Sequence, residues 1–162
     1  MPPATDPASE QILDAIISTL AGINGGADYT HDFSGERQVV RYAQWPGNEV
    51  WDNMIQLAGL ESQDDENQGH DVVEVTQEFA IGISLRVWNE EDKTLGLEEA
   101  IADVKKAVRR NEQLGGLAAR ISLGSTVRWE YRGESPQAGA AVRGFVQYKH
   151  AVDDPYVIVS PS

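Results

Sequence analysis

The stretch Val73-Glu74-Val75-Thr76-Gln77-Glu78-Phe79-Ala80-Ile81-Gly82-Ile83-Ser84-Leu85-Arg86-Val87 decides the fold. Apolar side chains at Val73, Val75, Phe79, Ile81, Ile83, Leu85 and Val87 alternate with Glu74, Thr76, Glu78, Ala80, Gly82, Ser84 and Arg86. A period of two puts each set on its own face of an extended chain, so the segment predicts a long strand with one buried face. Only Gln77 interrupts the apolar side. At about 3.4 Å per residue such a strand runs roughly 50 Å, against a usual length of about five or six residues. A strand of that reach is expected to bend or to project beyond its own core.

Upstream, Ile12, Leu13, Ile16, Ile17, Leu20 and Ile23 recur every three or four residues and predict an amphipathic helix. Asp6 or Ser9 is placed to cap it, with Pro7 at its first position, and Gly22, Gly25 and Gly26 end it. Residues 36–43, carrying Val39, Val40 and Tyr42, read as a first short strand before the turn Trp45-Pro46-Gly47-Asn48. Residues 50–57 fit either a short strand or a helical turn. Leu60 to Asp71 is almost wholly polar and reads as an exposed acidic loop.

Downstream, Leu97, Ile101, Val104 and Val108 mark a second amphipathic helix, begun near Thr94 and ended by Gly115-Gly116. Glu98, Glu99 and Asp103 lie toward its start, and Lys105, Lys106, Arg109 and Arg110 toward its end, which matches the helix dipole at both ends. Strands over about 119–132 and 140–149, joined by a linker rich in Gly and Pro, predict an antiparallel hairpin. Tyr156, Val157 and Ile158 form an apolar patch after a Pro break, either a short edge strand or an arm for a neighbour. The expected organisation is a flexible arm over 1–8, one α+β domain over 9–150 and a C-terminal arm over 151–162. Its sheet is mainly antiparallel, with about four to five strands and two helices packed on one face.

Composition sets outer bounds. The chain has 162 residues, 41% of them apolar, enough for one core. No apolar run reaches the roughly 18 residues needed to span a bilayer, and no signal-peptide pattern opens the sequence. The absence of cysteine excludes disulfides, thiolate metal sites and cysteine nucleophiles, in keeping with synthesis in a reducing cytoplasm. The net charge is −13 and lies entirely in the first half: residues 1–85 hold two basic and 15 acidic side chains, residues 86–162 hold 11 of each. Such a surface repels phosphate backbones and disfavours tight nucleic-acid binding, though it also serves plain solubility.

No pattern for catalysis emerges. His31, His70 and His150 lie far apart, none at a ligand-pair spacing, and read as surface histidines rather than metal ligands. Asp64-Asp65-Glu66-Asn67 lacks the alternation, the central Gly and the closing Glu of a calcium loop. Glu90-Glu91 and Glu98-Glu99 are sequence neighbours whose side chains diverge, so they offer no acid/base dyad. Neither a nucleophile elbow nor a phosphate-binding glycine loop occurs. The expectation is a protein without enzymatic activity, cofactor or metal. Its one concentrated basic patch, Lys105, Lys106, Arg109 and Arg110, suits either the dipole of a solvated helix or an acidic surface on a second copy. A charge split of this kind fits head-to-tail association closing into a ring.

The order of a helix over Ile12–Ile23, a long strand ending in Leu85-Arg86-Val87-Trp88, a second helix over Leu97–Val108 and a closing hairpin ending in Phe145-Val146-Gln147-Tyr148 resembles the tail terminator proteins of long-tailed bacteriophages. It is also similar to the related tail-completion and head–tail joining proteins. The resemblance covers about residues 9–150 and is architectural. It implies a virion protein of the tail or neck that forms a hexameric ring. That ring would cap the tail tube, stop its polymerisation and present a surface to a head-side stopper, with DNA only passing through the lumen. On this reading Glu61, Asp64, Asp65 and Glu66 face the lumen or the head-side partner. Lys105, Lys106, Arg109 and Arg110 serve the subunit interface, as do Tyr156, Val157 and Ile158. A head–tail connector or minor tail component is the neighbouring alternative. A monomeric acidic binding or inhibitor module is an alternative of another class.

Overall fold

The alternating stretch forms strand β3 (Val72–Arg86), the middle of a six-stranded sheet. A computed structural model describes residues 6–26, 28–35, 38–41, 53–66, 71–86, 90–131 and 137–159. Around β3 are helix α1 (Ala8–Ala21), β1 (Val39–Arg41), β2 (Asn53–Asp65), helix α2 (Glu90–Arg110), β4 (Arg120–Tyr131), β5 (Gln137–Ala151) and β6 (Asp154–Val159). The spatial order is β1-β2-β3-β5-β4, with β6 also on β5. Every pairing is antiparallel except β1 on β2, which is parallel. The fold is α+β, with two helices and a mostly antiparallel, curled sheet.

One face of this sheet carries the core. The odd-numbered side chains of β3 from Val73 to Leu85 and, on β5, Ala138, Ala140, Val142, Val146 and Tyr148 are buried. They join Ile12, Leu13, Ile16 and Leu20 of α1 and Ile101, Val104 and Val108 of α2 in a single cluster. Burying each such aliphatic side chain contributes about 1.5–3 kcal/mol. That outweighs the half-exposed pair Arg41–Glu10 (2.9 Å) between β1 and α1, where pairs of this kind give about 0–1 kcal/mol. Packing, rather than charge, holds the helices on the sheet. Gly144 of β5 makes room for it: an added Cβ would stand 2.6 Å from Cζ of Phe79 and 2.8 Å from the Ser122 carbonyl oxygen.

Gln77, the one polar break in the pattern, faces the core side and is buried. Its Nε2 donates to the carbonyl oxygens of Leu60 (3.0 Å) and Glu78 (2.7 Å). The first of these lies in a bulge, where three steps along β2 from Gly59 to Ser62 face two along β3 from Phe79 to Gln77. The extra residue interrupts the ladder, and the Gln77 amide satisfies a carbonyl there.

Several expectations change. Residues 60–65 are not a loop but the outer half of β2: Ser62, Gln63, Asp64 and Asp65 pair with Gln77, Thr76, Val75 and Glu74. A strand needs only a partner ladder, and here β3 supplies it while every β2 side chain from Leu60 onward stays exposed. Polarity was therefore a sign of exposure rather than of irregular backbone. Of the two alternatives for the C-terminal patch, residues 154–159 take the short strand, for β6 folds back onto the end of β5. The sheet has six strands, not four or five, and of the two alternatives for the long strand it is bending that holds: β3 lies within a curled sheet, and its odd-numbered side chains from Val73 to Leu85 are buried. Helix α2 opens at Glu90, ahead of Thr94. Helix α1 follows Pro7 without a side-chain cap, and Gln11 Nε2 binds the Asp6 carbonyl oxygen instead (2.7 Å). The turn at 45–48, most of the linker before β5, His70 and the first five residues of the expected N-terminal arm lie outside the described residues.

Candidate interaction surfaces

The loop between α1 and β1 is fixed to α2 by one buried carboxylate. Asp103 accepts N–H bonds from Thr30 (3.0 Å to Oδ2) and His31 (2.8 Å). The His31 ring is within 2.8 Å of the Gly96 carbonyl through Nε2, and His150 Nδ1 is 2.7 Å from the Ala151 carbonyl. Both described histidines are thus engaged with backbone. Among the described residues no three His, Asp or Glu side chains converge.

That same loop presents Asp28 and Tyr29 to the basic end of α2. Lys106 Nζ donates to the Asp28 carbonyl and sits 5.3 Å over the Tyr29 ring. Arg110 lies 3.5 Å from the Asp28 carboxylate and 5.9 Å from the ring centre. Two of the four cations proposed for a subunit contact therefore serve their own chain, where acceptor, carboxylate and aromatic face are all close. Lys105 stands near enough to Glu98 to help hold that carboxyl below its usual range, after the dominant hydrogen bond from Arg128. Arg109 is exposed, with no ion-pair partner among the described residues.

The apolar C-terminal patch is also partly used within the chain. The Tyr156 carbonyl accepts from Gln11 Nε2 of α1 (2.9 Å), and Ile158 packs against the core beside its strand partner His150. Alternation along β6 sends Val157 outward instead, and it stays exposed. Glu61, Asp64, Asp65 and Glu66 are all exposed at the far end of β2, so they form one acidic tip. Asp64 lies across β3 from Tyr148 and adds to a larger effect of burial that pushes the Tyr148 phenol up to about 12.

No family model and no curated protein matches the sequence.

The face of the sheet turned away from the helices carries the largest exposed apolar side chains of β4 and β5. Phe145 of β5 and Trp129 of β4 are each 45% exposed, and Val127 of β4 is 55% exposed. The register puts Ser122 opposite Phe145, Val127 opposite Ala141 and Trp129 opposite Gly139. The Trp129 indole lies against Gly139, where any Cβ would collide with it. Arg143, across β5 from Ala80 of β3, stands exposed on the same face.

Sequence reading missed this face for a specific reason. Ile121, Leu123, Val127 and Trp129 are all odd-numbered and by unbroken alternation would share one side. Between Leu123 and Thr126, however, β4 holds one residue more than the facing part of β5, so Val127 and Trp129 are turned to the opposite face. Gly124-Ser125 marked the bulge. The other signal was Phe145 itself, odd-numbered in a strand whose buried aliphatic positions, Val142 and Val146, are even.

Proposed function

We propose that the chain is a structural subunit of a phage tail, a tail terminator that assembles into a ring. The ring caps the tail tube, stops its growth and offers a seat for the head-side stopper. The observation that carries this reading is the exposed apolar stretch of β4 and β5 on the face away from the helices. Helices cover one face, while the other leaves two aromatics and a valine exposed on 12- and 15-residue strands. Exposed apolar side chains grouped on a rigid sheet are the mark of an association surface. The architecture that carries the resemblance, helix, long strand, helix and hairpin, is present in that order. The net charge of −13 suits a lumen through which DNA slides without being held. Such a task needs no bond-making chemistry, so the reading assigns no catalytic residue, cofactor or metal.

Size-exclusion chromatography with light scattering over a hundredfold concentration range tests it. The expected species has a mass near six times 17.7 kDa, about 106 kDa, and a ring outline by electron microscopy. Added to a polymerising tail tube protein, it shortens the tubes. A chain that stays monomeric and leaves tube length unchanged refutes the terminator and favours a monomeric acidic binding module.

A further inference from the structure

The loop that leads from α1 to β1 begins with a chemically weak pair of residues. Asn24-Gly25 is the one Asn-Gly sequence in the chain, for the other five asparagines precede Glu, Met or Gln. Glycine shields its own amide nitrogen least, having no side chain. Asn24, Gly25 and Gly26 are all exposed. The Gly26 N–H donates to Asn24 Oδ1 (3.2 Å), an Asx turn that folds the carboxamide back over the peptide joining Asn24 to Gly25. That donor also draws electrons from the carboxamide carbon and meets the charge that an attack there puts on the oxygen. Gly25 has φ of 65°, and a Cβ on it would stand 3.1 Å from the Asp32 Cβ. The turn therefore cannot exchange this glycine for a more protective residue without strain.

We infer that Asn24 is a site of spontaneous covalent modification by water. The Gly25 amide nitrogen gives its proton to hydroxide and bonds to Asn24 Cγ. The Cγ–Nδ2 bond breaks, Nδ2 takes a proton from water and ammonia leaves, which closes a succinimide ring. Water then opens that ring at either carbonyl. Opening at the side-chain carbonyl gives Asp, and opening at the main-chain carbonyl gives an isoaspartyl link that carries the backbone through Cβ and Cγ. Nucleophile and carbonyl belong to neighbouring residues, so the step needs no bimolecular encounter. Either product adds a negative charge to the −13 already present. Only the isoaspartyl product lengthens the main chain, and it does so at the neck of the loop. Asn24 pairs there with Asp32, beside the bond from the Phe33 N–H to the Ile23 carbonyl (2.7 Å). Beyond that neck the loop carries Thr30 and His31 to Asp103, and Asp28 and Tyr29 to Lys106 and Arg110. An added backbone atom at the neck displaces these contacts, so the basic end of α2 loses its partners as the protein ages.

The test incubates the full chain, as wild type and as Asn24→Gln, in mildly alkaline buffer at body temperature. Anion exchange and mass spectrometry of its peptides follow the reaction. Wild type should yield a more acidic species, with Asn24 converted at least tenfold faster than any other asparagine and at a rate that rises in proportion to hydroxide. Asn24→Gln, whose longer side chain has to close a larger ring, should yield none of it. The rate in the folded protein should lie within tenfold of the rate in urea. A slower folded rate, or an Asn24 that stays intact while other asparagines react, overturns the site. Hydrogen exchange at the Thr30 and His31 amides then separates charge from backbone. Both should exchange faster in the purified isoaspartyl form and keep wild-type protection in Asn24→Asp, which carries the charge on a normal backbone. Protection retained in the isoaspartyl form, or lost equally in both, overturns the link to α2.

Discussion

Removing the Asp103 carboxylate should loosen the loop that holds the basic end of α2 in place. The carboxylate is buried and takes two backbone donors, Thr30 at 3.0 Å and His31 at 2.8 Å. Hydrogen bonds to a charged partner contribute roughly 1.5–3 kcal/mol each. Truncation to Ala also relieves the cost of burying the charge, and water reaches the freed N–H groups of a surface loop, so the lower end of that range applies. The expected loss for Asp103→Ala is about 3 kcal/mol. In a domain of this size each kcal/mol shifts the melting temperature by about 2–4 °C, which gives a fall of roughly 6–12 °C. Asp103→Asn keeps one acceptor oxygen and should lose about half as much. Calorimetry at one fixed protein concentration is the assay, because self-association adds stability by mass action. Amide hydrogen exchange at Thr30 and His31 supplies the local readout, and both should exchange faster in the Ala variant. A melting temperature within about 2 °C of wild type, with unchanged exchange at those two amides, would refute the reasoning.

Three further outcomes follow from the core. Gly144→Ala drives a methyl group to 2.6 Å from Phe79 and 2.8 Å from the Ser122 carbonyl, and should cost about 1–3 kcal/mol in denaturant unfolding; adding Phe79→Leu should recover part of it, and full additivity would show that the two do not meet. Gln77→Leu leaves the Leu60 carbonyl in the bulge without its donor and should cost about 1–2 kcal/mol, whereas equal or greater stability would show that the bulge needs no side-chain partner. Tyr148 has its folded value pushed up to about 12, mainly by burial and secondarily by Asp64, against an ordinary value of 10.0. Because the folded value is the raised one, its contribution is fully present below pH 10 and is lost as pH rises toward 12. Tyr148→Phe should remove that part of the alkaline loss, and absorbance titration of the five tyrosines should show one ionising well after the rest.

The sequence made the centre of the molecule legible and its periphery less so. Alternation from Val73 to Leu85 and the three-to-four spacing from Ile12 to Leu20 both report burial, and burial is what those elements have. Where side chains are exposed on both faces, as from Leu60 to Asp65, hydrophobic periodicity vanishes although the backbone ladder continues. That is why the outer half of β2 read as a loop. β6 was half legible, because Tyr156 and Ile158 point inward while Val157 does not, and six residues cannot separate an arm from an edge strand. The basic end of α2 was visible as a run of cations in the sequence. Its partners, Asp28 and Tyr29, lie in a loop about 80 residues earlier, and no local pattern links the two. The open face was hidden by a single inserted residue in β4, which reverses the side on which every later residue emerges.

The place of β3 between β2 and β5 has a consequence for how the protein is made. β2 is its neighbour in sequence, but its other edge pairs with residues 51 to 79 positions further on, from Arg86↔Gln137 to Val72↔Ala151. During synthesis the middle strand therefore leaves the ribosome well before the strand that completes it. For that interval a 15-residue edge with an apolar face stands open. Chaperone binding to nascent chains should be strongest between the emergence of β3 and that of β5. A stall or truncation in that window should lead to aggregation rather than to a partly folded subunit. The −13 charge, carried wholly by residues 1–85, is already in place on the early half, where mutual repulsion slows that association without removing its cause.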